Sequence, residues 1–373
     1  MEGSLSELLY SLVECYHELG EHRAGGPADV PTRSWFADEL ARRGGRVDEQ
    51  TFRFARFDSH TKVVLNGELV PSMALYYSGH GEFKSSKPVT AVWDAVRHDE
   101  SLTLGLDDMY ERGLNQASPL ALVATDCPSG SLCAINRVPE RTPPLPTVVI
   151  PGRYANDLDE GDIEVEYNGS IHTGESGNII AEFGASGPGR LVLTTPLSGW
   201  FGCAGERGTG IALLLRVVEE IAQRCPVTVV GAGAHELHYL GANLAVKHYP
   251  ETPRAVLHLG SSIATAASLD ARVDTTATAS LQVSTNLDND SQRRAADIAS
   301  RANLGFRVPA EQSEWFGESL CWEPFGMPMI SLAGFHPLFH VPEDTPARAT
   351  HPSLLTDALE LVRELSFTLT DAA

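Results

Sequence analysis

Four short apolar segments in the second half of the chain, Leu191 to Thr194, Val227 to Val230, Ala255 to Leu259 and Met329 to Leu332, alternate with helical patterns near Gly210 to Arg224 and Glu236 to His248. Strands that are apolar along their whole length must be covered on both faces, so the pattern predicts a largely parallel sheet between helical layers. Ligands of such sheets bind beyond the carboxyl ends of the strands. Function is therefore expected in the loops after Thr194, Gly231, Leu259 and Leu332, each of which carries polar or histidine residues.

The first half is less regular. Leu5, Leu8, Leu9, Leu12, Val13 and Tyr16 recur at helical spacing, and a second helix is predicted from about Pro31 to Arg43, stopped by Gly44 and Gly45. Thr51 to Phe57 puts Phe52 and Phe54 on one face and Arg53 on the other, the alternation of a half-buried strand near a sheet edge. Between about Pro88 and Glu160 a helix (Leu106 to Asn115), a strand (Leu120 to Ala124), a Pro-rich passage from Arg141 and a strand (Thr147 to Ile150) suggest an inserted subdomain. The expected architecture is an α/β three-layer sandwich with a mixed, largely parallel central sheet. Residues 1–85 and 165–373 form its main domain and 86–164 the insertion.

Composition narrows the partners. With 42% hydrophobic residues in 373, the chain can bury a large core, and its net charge of -21 offers neither nucleic acid nor an anionic membrane a basic patch. The amino terminus opens with Glu2 and lacks the basic region of a signal peptide, and no run of 18 apolar residues follows. Six cysteines are too sparse for a disulfide scaffold, and Cys127 and Cys133 match no zinc knuckle. A reduced, cytoplasmic protein is expected, with its oligomeric state open to a homo-oligomer.

Four segments carry the chemistry. Phe339-His340-Val341-Pro342-Glu343-Asp344 presents a histidine on a turn before the last helix, and Ala204-Gly205-Glu206-Arg207-Gly208 puts a carboxylate in a Gly-rich helix start. Ala234-His235-Glu236-Leu237 places an imidazole beside another carboxylate, and Leu191 to Ser198 ends the first apolar strand on Pro196. With the N-terminal helices, Gly45 to Phe54, Asn178 to Phe183 and Gly326-Met327-Pro328, these segments resemble, over nearly the whole chain, the co-catalytic zinc aminopeptidases and the glutaminyl cyclases of the same clan.

The resemblance implies which ligands remain. Where the family has His-x-Asp this chain has the Pro196 segment, and where it has a later Asp this chain has Gly260, so the first metal's exclusive ligands are missing. The second metal's ligands correspond to Glu206, Glu236 and His340, a set that matches the single-zinc site of glutaminyl cyclases. One zinc ion and no second metal are therefore expected. His235 stands where the general base would be, and Glu318 falls near a substrate-side carboxylate. The expected activity is hydrolysis or acyl transfer on an amide or peptide-like small molecule in a metabolic or biosynthetic pathway.

Plainer readings stay beside this one. Glu206 and Glu236 could serve helix dipoles, His238 and His258 packing, Glu343 and Asp344 capping, and Cys203 and Cys321 the core. Gly184 to Gly189 reads as a hairpin-like turn and not a phosphate loop. Two other functions also remain open, a metal-free acid-base enzyme catalysing cyclisation, isomerisation or elimination, and a pseudo-aminopeptidase that binds a ligand or partner without catalysis.

Overall fold

The computed structural model describes residues 4–94, 106–136, 139–140, 142–159, 161–185, 189–278 and 280–372. Arg141 of the Pro-rich passage and the centre of the turn between Gly184 and Gly189 lie outside the described residues.

The expected α/β architecture is present. The apolar strands Leu191–Pro196, Val227–Ala232, Ala255–Leu259 and Met329–Ala333 are buried at every position and pair in parallel, with Leu191–Pro196 between Val227–Ala232 and Ala255–Leu259 and with Met329–Ala333 beside Ala255–Leu259. Antiparallel strands extend this parallel centre. Gln282–Thr285 joins Met329–Ala333, and Ile163–Phe183 joins Val227–Ala232 and then pairs along its length with Arg46–Leu65. Among the described residues the sheet has ten strands. The strand expected at Thr51 to Phe57 spans 20 residues, because its long partner supplies hydrogen bonds well beyond the alternating stretch.

Among the described residues a second sheet holds Met73–Ala74, Thr147–Pro151, Ala121–Asp126 and Val89–Asp94 in spatial order. The helix Asp107–Asn115 packs on it through Met109 and Tyr110.

Helices cover the main sheet as its apolar strands require. Thr209–Ala222 is buried almost throughout and lies with Leu5–Glu18 and Pro352–Ala372 in one core cluster. The first helix starts at a capping box, in which Ser4 Oγ accepts from the Glu7 amide at 3.4 Å and Glu7 Oε2 from the Ser4 amide at 2.8 Å. Its apolar stripe of Leu9, Leu12, Val13 and Tyr16 faces inward. Tyr16 reaches furthest, its hydroxyl donating to the Leu197 carbonyl at 3.0 Å just beyond a central strand. None of the described helices is long and apolar enough to cross a membrane.

His22 stacks on Tyr16 with ring centroids 3.8 Å apart and meets Thr32 Oγ1 at 2.7 Å. Burial pushes its imidazole down from 6.5 to about 3. The neutral ring therefore contributes stability that is fully present above about pH 6.5 and is lost as pH falls from there toward 3, because only the unfolded chain takes up the proton. By pH 5 this loss amounts to about 2 kcal/mol. His22→Gln is expected to flatten that part of the stability profile in urea unfolding; parallel profiles for wild type and variant would sink the assignment.

Candidate active site

The candidate residues stand where the loops leave the carboxyl ends of the central strands. Ser198 follows Leu191–Pro196, His235 and Glu236 follow Val227–Ala232, Ser262 follows Ala255–Leu259, and His336 and His340 follow Met329–Ala333. Asn178 fixes the second of these loops from the neighbouring strand. Its Oδ1 accepts from the Gly233 amide at 3.0 Å while its amide donates to the Gly241 carbonyl at 2.8 Å. A Cβ on Gly241 would come within 2.1 Å of the Gly233 carbonyl oxygen, so the loop closes only on glycine. The helix expected from Glu236 begins at Leu240 instead, because His238 and Tyr239 take left-handed backbone angles, φ 53° and 61°.

Glu206 lies in a π-helical turn, Ala204–Gly208, directly ahead of the buried helix Thr209–Ala222. Asp344 holds that turn, accepting the Gly205 and Glu206 amides at 2.7 and 3.0 Å. His336 is 3.4 Å from Asp344 through Nε2 and hydrogen-bonds Ser262 Oγ through Nδ1 at 2.9 Å. The Ser262 amide in turn donates to the Glu206 carbonyl at 3.0 Å. The capping role expected of Asp344 thus serves the Glu206 turn, linked through His336 to the loop after Ala255–Leu259.

Of the three expected metal ligands, two meet. Glu206 Oε1 is 3.2 Å from His340 Nε2, and both residues are buried. His340 Nδ1 donates to the Ala134 carbonyl at 3.1 Å, which turns Nε2 toward Glu206. Arg207 supplies positive charge from within the chain: its Nη2 is 2.7 Å from the same Glu206 oxygen, its Nε donates to the Ser198 carbonyl at 3.1 Å, and it is 1% exposed. Burial alone would raise the Glu206 carboxyl, but Arg207 first and His340 second hold it down at about 2.

Glu236 does not join them. Its Oε1 accepts from the Ala24 amide at 2.5 Å and its Oε2 from Ser198 Oγ at 2.8 Å, and burial pushes its carboxyl up. Among the described residues no group of three or more His, Cys, Asp and Glu is arranged to hold a metal ion. A zinc ion shared by Glu206, Glu236 and His340 does not fit this donor set, since one carboxylate is engaged elsewhere and a guanidinium already neutralises the other.

His235, expected at the place of the base, and Glu318, expected on the substrate side, lie in contact. His235 Nδ1 donates to Glu318 Oε1 at 3.0 Å, with Glu318 fully buried. Burial pushes the imidazole well below 6.5, and the charges of Arg207 and His340 push the same way, so this contact is a neutral imidazole on a carboxylate and not a charged pair. His258, a strand residue, bonds Ser331 Oγ at 2.8 Å and is held neutral at about 3 by its burial and by Arg207. Both Glu206 carboxylate oxygens, Arg207 Nη2, His340 Nε2 and His258 Nε2 are buried without a hydrogen bond among the described residues. Arg207 Nη2, Glu206 Oε1 and His340 Nε2 are satisfied only by the ion-pair contacts among them, whereas His258 Nε2 and Glu206 Oε2 have no such contact.

Two contributors escaped the sequence. Arg207 adjoins Glu206 in a Gly-rich loop, and the sequence alone does not show that both are buried. Ser198 closes the segment that lacks the family's His-x-Asp, yet it accepts the His235 amide at 2.8 Å and donates to Glu236.

No protein-family model and no curated protein matches the chain. Among solved structures it is similar to BSAP, a zinc aminopeptidase from Bacillus subtilis, at 16% identity with a TM-score of 0.74, covering 97% of this chain and 94% of that one. A peptidase M28 precursor from Shewanella amazonensis aligns at 17% identity with a TM-score of 0.71 over 98% of this chain and 93% of the other. Glutaminyl cyclase from Porphyromonas gingivalis aligns at 13% and 0.51 over 97% and 98%. The fold is that of the zinc aminopeptidases and glutaminyl cyclases.

Proposed function

We propose that this chain is an aminopeptidase-fold enzyme that acts on an amide or peptide-like small molecule by acid-base chemistry, with Arg207 in the role that a zinc ion plays in its structural neighbours. The observation that carries the reading is the Arg207 guanidinium at 2.7 Å from Glu206, completely buried beside the His235–Glu318 pair.

The geometry supports the following roles. His235, neutral with Nδ1–H on Glu318, has Nε2 as its basic nitrogen and takes a proton from the attacking group, whether water or an amine of the substrate. Glu318 fixes the tautomer and stabilises the imidazolium that forms. Arg207 offers fixed positive charge to an oxygen that becomes negative in a tetrahedral intermediate. His340 Nε2 and the Glu206 carboxylate line the same space and orient a polar group of the substrate. Residues 86–164 act as an inserted lid, supported by the Ala134 contact to His340 and by Trp200 Nε1 donating to Asn136 Oδ1 at 2.8 Å.

A second reading retains one zinc ion on Glu206 and His340. It is favoured by His340 alone, whose Nδ1–H on a backbone carbonyl is the way ligand histidines are usually oriented.

Chelator-treated protein assayed against a panel of aminoacyl amides, dipeptides and N-terminal glutaminyl peptides separates these readings. Turnover that persists without metal and disappears in His235→Gln supports acid-base chemistry. Turnover restored only by zinc favours the second reading, and binding with no turnover under any condition points to a pseudoenzyme.

A further inference from the structure

The loop that holds His340 carries two cysteines that the proposed chemistry does not use. Cys127 follows the strand Ala121–Asp126, and the Gly130 amide closes a turn onto its carbonyl at 2.8 Å. The chain then doubles back, so that the Cys133 amide donates to Thr125 Oγ1 at 3.2 Å and Cys133 lies again beside the strand end that Cys127 leaves. The two side chains, set at the ends of this turn, belong to one small buried cluster, and Cys127 Sγ reaches back to the Ser131 carbonyl at 3.5 Å. Both sulfurs are free, and both pack on Leu338, Val341 and Ala349.

This turn is coupled to the site. Cys133 Sγ reaches the Phe339 carbonyl at 3.9 Å, Ser131 Oγ donates to Glu343 Oε1 at 2.7 Å, and Ala134 both donates its amide to the His340 carbonyl at 2.9 Å and accepts His340 Nδ1–H at 3.1 Å. A covalent change at Cys133 therefore acts one residue from the carbonyl that sets the His340 ring.

We infer that Cys127 and Cys133 form a reversible dithiol–disulfide couple that fixes the wall of the site through Ala134 and His340. The oxidant belongs to the class of low-molecular-weight disulfides such as glutathione disulfide. Cys127 is the attacking sulfur: its thiol is lowered to about 6, first by the hydrogen bond from Cys133 and then by Ser129 and Ser131 against its burial, whereas the Cys133 thiol is raised well above its usual value. The Cys127 thiolate displaces one glutathione thiolate and forms a mixed disulfide. Cys133 then loses its proton and attacks the Cys127 sulfur, releasing the second glutathione. Two protein thiols are oxidised and one glutathione disulfide is reduced to two thiols.

The test uses the full chain incubated with glutathione disulfide, followed by non-reducing peptide mapping and amide hydrogen exchange. Cys15, exposed on the first helix, is the internal control and should be capped by glutathione. The expected result is a Cys127–Cys133 disulfide reversed by dithiothreitol, with several-fold slower exchange of the Ala134 amide in the oxidised protein. Cys133→Ser should instead trap Cys127 as its glutathione mixed disulfide. Capping of Cys15 while Cys127 and Cys133 both stay thiols, or become capped separately, overturns the inference; so does a disulfide that leaves Ala134 exchange unchanged. None of these readouts depends on turnover, so they stand apart from the proposed activity.

Discussion

Arg207→Met is expected to destabilise the protein by about 3–5 kcal/mol in urea unfolding, far more than the loss of its packing alone. The guanidinium is the cation nearest a fully buried carboxylate whose oxygens have no hydrogen bond among the described residues, so its removal strands a negative charge in the core. Glu206→Gln in the same chain should recover about 2 kcal/mol of that loss, because a neutral amide needs no counter-charge. A double variant that is additive would show that Arg207 stabilises the fold without neutralising Glu206. The acid dependence carries the same sign. With Glu206 held at about 2, below its ordinary 4.5, its contribution is present above pH 4.5 and is lost as pH falls toward 2.

His235→Gln is expected to lower kcat by about 10²- to 10⁴-fold with little change in KM, the usual consequence of removing a general base. Glu318→Gln should lower it less, since the amide still lies beside the imidazole but favours the wrong tautomer and no longer stabilises the imidazolium. The pH profile distinguishes this role from a structural one. Burial and the charges of Arg207 and His340 push the His235 imidazole well below 6.5, so the acid limb of kcat/KM should fall below the ordinary histidine range. If both variants fold normally and keep wild-type turnover and pH profile, the dyad is not the catalytic base.

The sheet was legible because its signal is redundant: four runs of consecutive apolar residues can be accommodated only between two layers, and all four form strands within a residue or two of their expected ends. Helix starts were less legible. The apolar pattern near Glu236 does continue into a helix, but it gives no sign that His238 and Tyr239 turn left-handed and delay the first helical residue to Leu240. The full length of the strand at Thr51 is not legible locally, because it is set by a partner about a hundred or more positions away in the chain, paired from Arg46 to Leu65.

The site divides in the same way. Glu206 and His340 meet because turns adjoining the sheet present both, and turn position can be inferred from motif order. His235 and Glu318 also meet, across 83 positions. The direction of the Glu236 side chain was not legible. It is decided by an amide at Ala24, in a loop 212 positions earlier whose sequence gives no hint of that contact, and by a serine where the motif had been lost. Spacing places a carboxylate near a site; only tertiary hydrogen bonds decide which way it points. Arg207 illustrates the converse, because an arginine in a Gly-rich loop reads as a solvated residue until the buried carboxylate at its tip is seen.

The central claim is that a guanidinium has taken the place of the metal, and the most direct measurement is calorimetric titration of zinc into chelator-stripped full-length protein alongside Arg207→Ala and His340→Ala. The account predicts no stoichiometric binding tighter than micromolar in the wild type, together with a new, His340-dependent site in Arg207→Ala once Glu206 is freed. One equivalent of zinc bound tightly by the wild type and lost in His340→Ala would contradict it.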